Sequence, residues 1–87
     1  MTVVAGRVLG ASGMPLADAR VAFAEAPVPV PDIAAVTGAD GRFALSAPAP
    51  GLYVVIAAAD GHVPAQVTVE VRGERIDVEL TLAEEDA

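Results

Sequence analysis

The sequence predicts an all-β fold, a sandwich of seven short antiparallel strands, and three observations carry that prediction. Apolar residues recur at the strand period of about two rather than the helical ~3.6. Turn signals built from Gly, Pro and Asp return about every 8–12 residues. No stretch has the spacing of a long amphipathic helix.

Residues 3–9, VVAGRVL, are the first strand, and GASGMPLADA follows as a turn-rich loop. Residues 20–25, RVAFAE, form the second strand, with Val21 and Phe23 inward and Ala22 and Ala24 on the opposite side. Residues 27–32, PVPVPD, read as a stiff extended connection, because each proline fixes φ and removes a donor. Residues 33–37, IAAVT, are a third strand, which Asp40-Gly41 turns into a fourth, RFALS, at residues 42–46. APAPG is a loop, and residues 52–59, LYVVIAAA, are the fifth strand.

The last two strands alternate most regularly. In VPAQVTVEV, residues 63–71, Val or Ala occupies every odd position. Pro64 belongs at the start or on an edge, because it has no N–H for a ladder. In RIDVELTL, residues 75–82, Ile76, Val78, Leu80 and Leu82 face in. A hairpin is expected between them. A two-residue turn at Arg72-Gly73 would set Val69 against Ile76, Val67 against Val78 and Glu70 against Arg75. A four-residue loop satisfies the same parity. Gly41 and Gly73 are both expected at positive φ, as second residues of tight hairpin turns. Residues 1–82 then make one domain, and residues 83–87, AEEDA, an acidic disordered tail.

Composition narrows the function. The 87 residues are 54% hydrophobic, largely Ala and Val, with two Phe, one Tyr and no Trp, so the core is built from small side chains. Twelve acids stand against five arginines and no lysine, a net charge of -7, which disfavours nucleic acid and anionic membrane surfaces. The absence of cysteine excludes disulfides, thiolate zinc sites and cysteine nucleophiles. MTVVAGRVLGASG lacks a basic segment followed by an apolar run. A cytoplasmic intact chain is therefore expected, and an extracellular one only if the chain is excised from, or exported with, a larger protein.

The order of punctuation is distinctive: a glycine in the first strand, Gly13-x-Pro15-Leu16, Ala19-x-Val21, Asp40-Gly41-Arg42-Phe43-x-Leu45, Pro50-Gly51-Leu52-Tyr53-x-Val55 and Gly61-His62. It resembles the carboxypeptidase regulatory-like domains over nearly the whole chain. That resemblance implies a transthyretin-like (prealbumin-like) Greek-key sandwich acting as an accessory, stabilising or binding module. Related folds include enzymes, but this chain lacks their residues. Transthyretin-like hydroxyisourate hydrolases use several histidines, an arginine and a C-terminal Tyr-Arg-Gly-Ser segment; here there is one histidine and the end is LTLAEEDA. Intradiol dioxygenases hold iron with two tyrosines and two histidines; this chain has one of each. Lysine-dependent isopeptide cross-links, found in some adhesin sandwiches, are impossible without lysine.

Candidate chemical residues read as structure. Asp40-Gly41 and Asp60-Gly61 are turn formers, and their acids are isolated rather than clustered as calcium requires. His62 is expected to pack partly at one end of the sandwich, and Tyr53 as a core or corner residue. Ser12 and Ser46 have no base placed by a motif. No catalytic residue, cofactor or metal is therefore expected.

One departure from the resemblance points to function. Tyr53, Val55 and Ala57 should face the core, yet the alternate positions, commonly polar in relatives, are Leu52, Val54 and Ile56. Ala22 and Ala24 show the same bias on the second strand, which the transthyretin-like arrangement makes a neighbour. An apolar outer face is expected there, serving a protein partner or a homo-oligomer. A compositional excess of alanine and valine would give the same run, with a patch too small to matter. A carbohydrate- or small-ligand-binding module is the alternative function; only Tyr53 offers a sugar a full stacking face.

Overall fold

A computed structural model of the chain describes residues 2–31 and 34–85. Seven strands run β1 (Thr2–Gly10), β2 (Arg20–Glu25), β3 (Ala35–Val36), β4 (Arg42–Ala47), β5 (Gly51–Ala58), β6 (Ala65–Val71) and β7 (Ile76–Leu82). They form a three-stranded sheet, β4-β1-β7, facing a four-stranded sheet, β3-β2-β5-β6. The inner faces meet in one hydrophobic cluster around Val4, Val8, Val21, Tyr53, Val55 and Leu82. The all-β, seven-stranded prediction holds. The third strand is shorter than expected, and Ile33 lies outside the described residues.

Two expectations about pairing do not hold. β6 and β7 form no hairpin: β6 pairs with β5, which sets Tyr53 opposite Val69, and β7 lies in the other sheet. Glu70 therefore meets Arg72, and Arg75 meets Asp77. The alternation itself holds, since Val69, Val71, Leu80 and Leu82 are all buried. Period two fixes which residues face the core; it does not say which sheet carries the strand. The second departure is that β7 runs parallel to β1, with Val4 opposite Ile76 and Gly6 opposite Val78, whereas the other pairs are antiparallel.

Gly41 and Gly73 do have positive φ, 75° and 99°. Both turns carry the chain from one sheet to the other rather than closing hairpins. Asp40 acts locally as expected: its Oδ1 accepts the Arg42 N–H at 3.0 Å. Ordered pairing also continues past Leu82. Val63 N–H donates to the Ala83 carbonyl at 2.7 Å and Glu85 N–H to that of Gly61 at 3.0 Å. The disordered tail expected from residue 83 is thus paired as far as Glu85; residues 86–87 lie outside the described residues.

The long loop before β2 is fixed by Thr37, a polar residue only 3% exposed. Its hydroxyl donates to the Leu16 carbonyl at 2.6 Å and accepts the Ala19 N–H at 2.9 Å. Thr37→Val keeps the shape and strands both groups. It is expected to cost about 1–3 kcal/mol, read from urea denaturation. An unchanged midpoint would show that the loop is held by other contacts.

Candidate functional site

Strand β5 is central in its sheet, and alternation gives it two apolar faces. Tyr53, Val55 and Ala57 point inward and are 0% exposed. Leu52, Val54 and Ile56 point outward, half-buried except for Leu52, which is 62% exposed. The inward and outward sides follow the alternation of the sequence. Directly opposite residues share a face of the sheet, so the register names the neighbours. Ala22 lies against Ile56 and Arg20 against Ala58 on one side, with Glu70, Thr68 and Gln66 against Leu52, Val54 and Ile56 on the other.

A β-bulge alters this face. After Phe23 pairs with Val55, the register shifts, and Glu25 rather than Ala24 stands opposite Val54. Ala24 is exposed but out of step with the ladder, so the expected pair of alanines is reduced to Ala22 beside Ile56. The bulge sets a carboxylate against the aliphatic row instead. No salt bridge engages Glu25 among the described residues.

Three further contributors went unread in the sequence. Val36, 61% exposed, lies on the same outer face beyond Arg20, which separates it from Ala58. Ala58 closes the far end of the aliphatic row, and Glu25 enters through the bulge. Val36 could be found only once β3 was known to lie beside β2. No sequence feature marks the bulge.

The remaining candidates fall elsewhere. Tyr53 is a corner residue: its hydroxyl donates to the Ala49 carbonyl at 2.6 Å and accepts the Ala49 N–H at 3.2 Å. It also packs against Phe23, with ring centroids 4.7 Å apart. His62 is half-buried at one end of the sandwich, its Nδ1 within 2.9 Å of the Asp60 carbonyl. Asp60 pairs with Arg20 at 3.5 Å, and Asp40 with Arg42. Among the described residues, no group of three or more His, Cys, Asp or Glu is placed to hold a metal ion. The structure brings His62, Tyr53 and the serines into no common site.

A cleft of about 330 Å³ opens between the sheets beside β3 and β4. Phe23, Val30, Pro31, Ala35, Leu45 and Ser46 line it, and among the described residues its walls carry no charged side chain. Such a cleft can take an apolar group.

The family model of the carboxypeptidase regulatory-like domain matches residues 3–83. No curated protein sequence matches the chain. Among solved structures, the major pilin subunit BcpA of Bacillus cereus superposes with a TM-score of 0.79 at 17% identity, covering 97% of this chain and 29% of that one. A type II cohesin–X–dockerin complex from Acetivibrio cellulolyticus gives 0.75 at 18% identity, covering 99% and 60%. The 3-chlorocatechol 1,2-dioxygenase of Rhodococcus opacus gives 0.70 at 15% identity, covering 97% and 60%. At these identities the likenesses show a shared fold, and the chain spans 29% to 60% of those chains' lengths.

Proposed function

The chain belongs to the carboxypeptidase regulatory-like domain family, and from that premise we propose that it is a non-catalytic module that works through protein–protein contact. It serves as an accessory, docking or self-associating domain. The observation that carries this reading is the row Leu52, Val54 and Ile56 on the outer face of β5, continued by Ala58 and widened by Ala22. Leu52, 62% exposed, forgoes much of the roughly 1.5–3 kcal/mol that full burial would give, and the half-buried Val54 and Ile56 forgo part of theirs. Soluble monomers rarely keep such patches together unless something binds them. The pilin subunit and cohesin–dockerin complex among the neighbours support the reading, being proteins that assemble with others by their own descriptions.

A second reading, small-ligand binding, draws support from the cleft beside β3 and β4. Its apolar walls suit an aliphatic group better than a sugar. The aromatic rings lie inward, with Tyr53 0% and Phe43 6% exposed and Phe23 packed on Tyr53. An enzymatic reading has the least support: the only histidine and the only tyrosine are held apart in structural contacts.

Val54→Asp tests the contact reading. It should keep the fold, since the inward positions are untouched, and should release the domain from whatever complex holds it in extracts of its source cell. Size-exclusion chromatography should then show the variant at the 8.7 kDa of the free chain. Thr81→Asp, on the outer face of the other sheet, should elute with the wild type. A Val54→Asp protein that stays in the complex would overturn the proposed face, and one that unfolds would reverse the assignment of the two sides of β5.

A further inference from the structure

We infer that the outer face of the four-stranded sheet receives a different protein, one whose apolar centre is framed by lysine or arginine, rather than a second copy of this chain. The inference rests on the contact reading above and adds the partner's chemistry. All five arginines lie in internal ion pairs: Arg7 with Glu79, Arg20 with Asp60, Arg42 with Asp40, Arg72 with Glu70 and Arg75 with Asp77. The chain's net charge of -7 is therefore carried by other acids, which among the described residues are Asp18, Glu25, Glu74, Glu84 and Glu85.

The bulge places one of these beside the aliphatic row, since Glu25 stands opposite Val54. Glu70 stands opposite Leu52, and Asp60 lies past Ala58 on Arg20. The apolar row cannot be covered without covering its acidic rim. A specific interface takes about 800 Å² from each partner, so a contact of that size extends beyond the three aliphatic side chains to the residues beside them. Glu25, which no salt bridge engages among the described residues, then falls inside the footprint, where dielectric shielding weakens and its charge must be answered, while Glu70 and Asp60 beside it are paired with Arg72 and Arg20.

A second copy cannot answer it. It would bring the same -7 and a second Glu25, with no arginine outside an internal ion pair to answer either one. Its only cations near the patch are Arg20 and Arg72, which would have to leave internal partners to make intermolecular ones. That exchange gains no net pairing. A surface with apolar side chains between lysines or arginines satisfies both the row and the rim, and the charge complementarity also speeds encounter.

The test is a nitrogen-15 NMR titration with a short peptide alternating leucine and lysine, and the matching leucine–glutamate peptide as control. The lysine peptide should shift amides in residues 20–25 and 52–58, with affinity falling roughly tenfold between low and physiological salt. Glu25→Lys should weaken it. Val54→Asp should also weaken it although it adds negative charge, which separates a built face from bulk attraction; Leu52→Asp is the second variant, at a more exposed position. Shifts confined to the acidic end around residues 61–62 and 83–85, equal binding by the glutamate peptide, or no binding would overturn the inference. Sedimentation of the free protein supplies the remaining arm. A dimer that strengthens with salt and is broken by Val54→Asp would overturn the cationic partner while leaving the contact reading in place.

Discussion

Replacing Gly6 with alanine is expected to do more damage than any other one-methyl change in this chain. A Cβ at that position would sit 1.7 Å from the carbonyl oxygen of Val78 and 2.7 Å from its carbon. The obstruction is backbone, so no rotamer change relieves it. Gly6 is opposite Val78 in the β1–β7 pairing, the parallel seam that completes the three-stranded sheet. The methyl group would push these strands apart and break hydrogen bonds along the seam. Overpacking commonly costs about 1–3 kcal/mol, and a backbone clash belongs at or beyond the top of that range. For a domain this small, that lowers the melting temperature by roughly 12 °C or more. Circular dichroism on heating would read it. A loss of only a degree or two would show that β7 does not lie against β1 as described.

Tyr53→Ala is the second large effect. The side chain is fully buried, its ring packed at a tilt against Phe23, and removing so much core volume costs about 3–5 kcal/mol. Tyr53→Phe separates the ring from its hydroxyl. The hydroxyl bonds both polar groups of Ala49 and so ties down the loop that takes the chain from β4 in one sheet to β5 in the other. Its loss should cost about 1–3 kcal/mol and should raise amide exchange locally around residues 48–51. Denaturation of both variants, with exchange on the phenylalanine variant, would test the division. A phenylalanine variant as stable as the wild type would remove the corner from the account.

Much of this fold is legible because alternation is a local property. Tyr53, Val55 and Ala57 declare themselves inward by spacing alone, as do Val69, Val71, Leu80 and Leu82, and the burial agrees. Strand partnership is not local. Residues 63–82 look like a hairpin because two alternating runs flank a glycine, yet they occupy different sheets. The glycine in the first strand was the available clue: its missing side chain admits the Val78 backbone. The candidate face was half legible for the same reason. Leu52, Val54 and Ile56 follow from period two, whereas Val36 depends on a two-residue strand, and Glu25 replaces Ala24 through a bulge that no residue pattern announces.

The central claim, that the domain works through the outer face of its four-stranded sheet, is tested most directly by placing a photo-crosslinking amino acid at position 54 and, separately, at position 81. Both positions point outward on strands of opposite sheets. Irradiated in the source cell, the protein substituted at 54 should give one discrete adduct heavier than the free chain, lost when Leu52→Asp is added. The protein substituted at 81 should give none. Adducts from 81 alone, or the absence of any adduct from 54, would contradict the claim.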